Sequence, residues 1–159
     1  MMKILLAVDG STCSDAAVNE VAARPWPQGS TVKIISVIEL PFTPTEETRS
    51  LSGSDYSKME RAGQEQAQTA INSAVERLRA RAGEPLAITT ESIIGRAKES
   101  ILDAAKQWDA DLIVLGSHGY RGFKRFLLGS VALAVTTYAT CSVEIVRSRA
   151  VDNDNGKAE

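Results

Sequence analysis

Lys3-Ile4-Leu5-Leu6-Ala7-Val8, closed by Asp9-Gly10-Ser11, is the stretch on which the fold turns. Its apolar residues follow one another without the alternation of a half-exposed strand. Such a run, ended by a turn sequence, suits a strand buried on both faces of a parallel sheet. Beyond the turn, Ser14 precedes a helical pattern with Ala17, Val18, Val21 and Ala22 on one face, and Pro25, Pro27 and Gly29 stop it. Thr31-Val32-Lys33-Ile34-Ile35-Ser36-Val37-Ile38, rich in β-branched side chains, predicts a second strand. Strand, helix and strand make one βαβ unit.

The same alternation continues to the end of the chain. Pro41 to Ser57 is polar, with prolines 41 and 44, and reads as a long loop, a lid over a site or a disordered connection. A helix from about Lys58 to Ala82 follows, with Ile71, Ala74, Val75 and Leu78 as its buried stripe and Gly83 and Pro85 as its stop. Leu86 to Ile94 is a third strand. Gly95-Arg96-Ala97 then opens a helix marked by Ile101, Ala104, Ala105 and Trp108. Asp111-Leu112-Ile113-Val114-Leu115-Gly116 is strand four, Ser130 to Tyr138 the last helix, and Val143 to Val146 the last strand. The expectation is an α/β fold, an open five-stranded parallel sheet with helices on both faces, as a single domain over residues 1–147. Residues 148–159 are expected to be a polar, disordered tail. Ligands of such sheets bind at the carboxyl ends of the strands. That rule selects Asp9, Val37-Ile38-Glu39, Gly95-Arg96-Ala97 and the segment after Gly116.

Composition removes several functions. The chain of 159 residues is 43% hydrophobic and 24% charged, enough for one sizeable core. Its 18 basic and 20 acidic side chains, net charge -2, argue against binding nucleic acid by phosphate neutralisation. One histidine, His118, and two cysteines, Cys13 and Cys141, leave no ligand set for a zinc finger or a two-histidine zinc protease. The cysteines lie in different elements without C-x-x-C spacing and read as reduced thiols. The opening apolar run is too short for a secretory signal, so the expected location is the cytoplasm. Phe126 to Val143 carries no charge, but Gly129, Ser130, Thr136, Thr137, Thr140 and Ser142 make it too polar for a membrane span. No P-loop, no G-x-G-x-x-G after strand one and no G-x-S-x-G elbow occurs.

The segment with chemistry in it runs from Gly116-Ser117-His118-Gly119 through Arg121, Lys124 and Arg125 to Gly129-Ser130. It holds three positive side chains and no negative one, against the acidic trend of the chain. Glycines let a phosphate approach backbone amides, and Gly129-Ser130 places free N–H groups at the start of the last helix. An anion site is the physical reading, with Arg121, Lys124 or Arg125 neutralising phosphate charge. The Ser130 hydroxyl either caps the helix or bonds a phosphate oxygen. Asp9 suits a ribose hydroxyl or an ordinary turn. His118, beside two glycines, reads as an exposed bystander, and Arg96 as either solvated or within reach of phosphate.

Gly116-x2-Gly119-x9-Gly129-Ser130 resembles the ATP-binding motif of the universal stress proteins, and the resemblance runs from Lys3 to about Arg147. Asp9-Gly10-Ser11, Gly95-x-Ala97, Asp111 to Gly116 and Cys141-Ser142-Val143-Glu144-Ile145-Val146 stand where that family would have them. The resemblance implies that Asp9 and the backbone of Ala7 and Val37 surround adenosine. It places Gly116 and Gly119 beside the ribose and phosphates, and Gly129, Ser130 and Val131 on the phosphate chain, with Mg or Mn carried by the nucleotide. It implies a homodimer paired through the last strand, and ATP, or AMP or cyclic AMP in its place, as a regulatory or sensing ligand in stress response, with little or no hydrolysis. Two alternatives are a dimeric interaction module that binds no nucleotide, and a slow ATPase or nucleotide-dependent transferase using Asp9 and His118. Ser142 and Glu144 depart from the family pattern, which commonly has proline and an apolar residue there.

Overall fold

A computed structural model of the chain describes residues 1–40, 53–80, 85–119 and 128–148. In chain order the elements are β1 (Lys3–Ala7), α1 (Thr12–Ala23), β2 (Thr31–Ile38), α2 (Gly53–Arg79), β3 (Ala87–Ile94), α3 (Ala97–Gln107), β4 (Leu112–Gly116), α4 (Ser130–Tyr138) and β5 (Ser142–Val146). The five strands form one parallel sheet in the order β3-β2-β1-β4-β5. This is the expected α/β architecture.

The side-chain period of two divides the central strand between two cores. Ile4, Leu6 and Val8 pack with Ala17, Val18 and Val21 of α1 and with Ala70, Ile71, Ala74 and Leu78 of α2. Leu5 and Ala7 turn to the opposite face, against Ile101, Ala104 and Ala105 of α3 and Ala132 and Val135 of α4. Two helices therefore cover each face, and β1 lies buried between them because both of its faces are apolar. Gly116 serves this packing directly. A Cβ there would lie 2.6 Å from the Cys13 carbonyl carbon, so the first turn of α1 occupies the space that any other residue would need.

Two expected helix starts move, and α2 ends at Arg79 rather than Ala82. Ser14 was expected ahead of the first helix, but the N-cap is Ser11, whose Oγ accepts the Ser14 N–H at 3.2 Å. Ser14 is inside the helix, and its own hydroxyl accepts the Asp9 N–H at 3.1 Å. The second helix begins at Gly53 rather than Lys58, so residues 53–57 of the expected loop are helical. Their serines and aspartate suit a loop by composition, yet they continue the helix upstream of Met59, which lies over the sheet's carboxyl edge. The rest of that loop, Pro41 to Ser52, the Gly83 stop, the 149–159 part of the tail, and Arg121, Lys124 and Arg125 lie outside the described residues. No helix among the described residues is long and apolar enough to cross a membrane.

Candidate functional site

Strand order reverses between β1 and β4, since the chain moves outward through β2 and β3 on one side and through β4 and β5 on the other. Loops leaving the two central strands therefore diverge and leave a crevice at their carboxyl ends. A cavity of about 500 Å³ opens there. Ala7 and Asp9 from the end of β1 line it, with Val37 of β2, Gly116 and Gly119 at the end of β4, and Gly129, Ser130 and Val131 at the start of α4. Eight of the nine residues named from the sequence thus border one space, and Arg121, the ninth, is outside the described residues.

A closed ring of three hydrogen bonds sets Asp9. Its N–H donates to Ser14 Oγ at 3.1 Å, the Ser14 N–H donates to Ser11 Oγ, and the Ser11 N–H donates back to Asp9 Oδ1 at 2.9 Å. The turn role read from Asp-Gly-Ser is therefore real, and it occupies one carboxylate oxygen. The other, Oδ2, lies 2.7 Å from where a Cβ of Gly119 would stand. Glycine at 119 is what keeps that oxygen open to the cavity. An aspartate held in this way can accept from a hydroxyl without reorganising.

At the other wall, the Gly129 N–H donates to the Ser117 carbonyl at 2.9 Å, which ties the start of α4 to the end of β4. Gly129 is the N-cap and no side chain caps this helix, so the capping role considered for Ser130 is excluded. Ser130 is the first helical residue, exposed, and lines the cavity. The N–H groups of Ser130, Val131 and Ala132 have no carbonyl within the helix to receive them, and all three residues border the cavity. Aligned peptide dipoles add positive potential at that end.

His118 is half-buried and lines the cavity, not an exposed bystander. Its Nδ1 lies 3.2 Å from the hydroxyl of Ser117, which is itself buried and donates to Cys13 Sγ at 3.6 Å. Arg96 borders an adjoining groove with Glu39 and Lys98 rather than the main cavity, and pairs loosely with Glu99 at 3.6 Å. Glu39 Oε1 accepts the Ala97 N–H at 2.8 Å and so caps α3. Sequence reasoning missed the cavity's second flank: Ser14, Ser36, Met59, Gly63, Gln66 and Ala67 on the α1 and α2 side of the sheet. The only signal for it was Ser36, a hydroxyl in the middle of an apolar strand.

Residues 1–147 match the sequence model of the universal stress protein family. The chain belongs to that family. Universal stress protein YxiE of Bacillus subtilis is 30% identical over 158 residues, covering 91% of this chain and 98% of that protein. A universal stress protein of Synechocystis matches more closely, at 46%, but over 54 residues, 34% of this chain and 35% of that protein's length. Among solved structures, a universal stress protein in complex with cAMP superposes with a TM-score of 0.66 at 22% identity, covering 92% of this chain and 97% of that one. The universal stress protein of Archaeoglobus fulgidus in complex with dAMP gives 0.61 at 23%, covering 92% and 98%. At these identities the likeness is one of fold, and the α/β sheet is that of the family.

Proposed function

We propose that this universal stress protein binds an adenine nucleotide in the cavity at the carboxyl ends of β1, β2 and β4, as a regulatory or sensing ligand in stress response. The observation that carries the reading is the convergence of an open Asp9 oxygen and the unreceived N–H groups of Ser130 and Val131 on one space. The first suits a ribose hydroxyl and the second a phosphate chain. Solved family members carrying cAMP and dAMP support the ligand class. ATP is the nucleotide that the glycine motif favours, with AMP or cyclic AMP as alternatives in the same space. Ala7 and Val37 would flank the base, Gly116 and Gly119 the ribose, and Arg121 the phosphates.

Mg or Mn would arrive on the phosphates, because among the described residues no three His, Cys, Asp or Glu side chains converge on a metal position. Such an ion would neutralise phosphate charge, while Ser130 and the α4 amides orient the chain. Hydrolysis would be slow at most, since Asp9 is committed to its turn through one oxygen. The reading extends to a single domain over 1–147, a cytoplasmic location, and a homodimer paired through β5.

Heat-released supernatant of freshly purified protein, resolved by ion-pair chromatography, tests the ligand. Adenine nucleotide at near-equimolar amount is the expected result. An empty supernatant, together with no calorimetric signal for ATP, AMP or cAMP, would overturn the reading and favour the interaction module.

A further inference from the structure

We propose that His118 is the phosphate-sensing contact of this site, and that its two-acceptor seat couples nucleotide affinity to pH. The inference rests on the nucleotide reading and adds a residue that the reading did not use. Among the described residues lining the cavity, the fixed charges are the carboxylates of Asp9 and Glu39, and His118 is the side chain able to become positive. A proton on the imidazole would add one positive charge on the same lining as these carboxylates, beside an anionic ligand.

The seat is built for both charge states. A hydroxyl has one proton to give, and Ser117 has two acceptors for it: His118 Nδ1 at 3.2 Å and Cys13 Sγ at 3.6 Å. With a neutral ring, Ser117 donates to Nδ1, which leaves the other ring nitrogen carrying its proton as an uncharged donor. With a protonated ring, Nδ1–H donates to Ser117 Oγ and the hydroxyl turns to the sulfur. Neither state strands a buried polar atom, so the ring gains or loses its charge without losing a hydrogen bond. The ring's far edge faces the phosphate end: Cδ2, bonded to Nε2, is 3.9 Å from where a Cβ of Gly129 would stand, beside the start of α4.

The groups facing the ring from the elements around it are few. Cys13 and Ser11 come from the start of α1, with Ser11 Oγ donating to the His118 carbonyl at 3.4 Å. Asp9 follows β1, and the start of α4 brings its positive dipole end to the same cavity. Arg121, Lys124 and Arg125, next in sequence, are outside the described residues.

Cyclic AMP is the right probe, because its phosphodiester keeps one charge throughout, whereas a phosphomonoester has its own ionisation near pH 6. Calorimetric titrations at about pH 6 and about pH 8 should show cAMP binding three- to tenfold more tightly at the lower pH, with adenosine unaffected by pH. His118→Gln should remove the pH dependence, Cys13→Ala should shrink it, and Cys13→Ser, which restores an acceptor, should retain it. His118 is the chain's only histidine, so a single imidazole resonance should shift on adding cAMP and stay in place with adenosine. Equal cAMP affinity at both pH values, or a dependence that survives in His118→Gln, overturns this inference and leaves the nucleotide reading standing. Absence of any nucleotide binding at either pH overturns both.

Discussion

Arg24 and Glu144 meet as a two-pronged ion pair, each guanidinium nitrogen 2.7 Å from a different carboxylate oxygen. Arg24 ends α1, and Glu144 lies in the middle of the edge strand β5, on the face that α1 covers. A third contact, to Glu20 at 2.8 Å, and the Trp26 ring at 5.2 Å complete the setting of the guanidinium. Glu144 first and Glu20 second hold that guanidinium above its already high ordinary value, so no accessible alkaline pH opens the pair. The departure from an apolar residue at 144 is thus matched within this chain, and the pair ties the edge strand to α1.

Breaking the pair should cost little but measurably. Arg24 and Glu144 side chains are 35% and 26% exposed, and at that exposure solvent screening leaves a coupling of about 1 kcal/mol or less. A double-mutant cycle of Arg24→Ala and Glu144→Ala in urea should return that coupling. Arg24→Lys, which keeps charge but loses the fork, should recover under half of it. Additive single mutants would show the pair to be energetically idle.

Asp9 divides its work between its two oxygens, and the division can be measured. Asp9→Asn keeps an acceptor for the Ser11 N–H and should change stability by under about 1 kcal/mol, while Asp9→Ala opens the ring and should cost about 1 to 2 kcal/mol. Both should weaken AMP, and neither should weaken a dideoxy analogue lacking the ribose hydroxyls by a comparable factor. Equal losses for both ligands would place Asp9 away from the ribose.

The motif glycines Gly116 and Gly119 should separate into a folding role and a ligand role. A methyl at 116 meets the backbone of α1, at 2.6 Å from the Cys13 carbonyl carbon, and backbone cannot step aside. Gly116→Ala should therefore destabilise by about 2 to 3 kcal/mol. Among the described residues a methyl at 119 meets the Asp9 carboxylate alone, with Oδ2 at 2.7 Å, so Gly119→Ala should displace the carboxylate, keep most stability and lose nucleotide affinity. Thermal melts and calorimetry on the two variants decide it, and matching stability losses would refute the division.

That contrast also shows what was legible in the sequence. Patterns carried by neighbours along the chain were: Thr31–Ile38 and Ser130–Tyr138 form as read, because β-branched runs and a glycine-serine boundary act locally. The ends that moved depend on which of several equivalent residues wins a local bond. Ser11 and Ser14 both suit a cap, and only the ring through Asp9 selects Ser11. Contacts between distant segments left no trace. Nothing near Glu144 announces Arg24, nothing near Gly116 announces the first turn of α1, and the α2 flank of the cavity appears only when Met59 and Gly63 reach the end of β2. Of the site, the motif residues were readable because close backbone approach demands glycine, whereas His118 looked idle until its ring was seen against Ser117.

Cys141 offers a pH test independent of any ligand. It precedes β5 and packs with the α3 and α4 core, and burial pushes its thiol above the ordinary value near 9.0, aided by the Asp111 charge and opposed by a backbone hydrogen bond. Burial disfavours the thiolate in the folded chain, so the unfolded chain ionises first as pH rises. The stability linked to this group is fully present below the unfolded thiol's value and is lost as pH climbs through the folded one. Urea midpoints should therefore fall as pH rises above about 8.5, and the fall should flatten in Cys141→Ser relative to wild type. Iodoacetamide should label Cys141 in the native protein several-fold more slowly than in urea at about pH 8, because the thiolate is the nucleophile. Native labelling as fast as in urea would mean that the thiol is open to solvent and ionises as a free cysteine does.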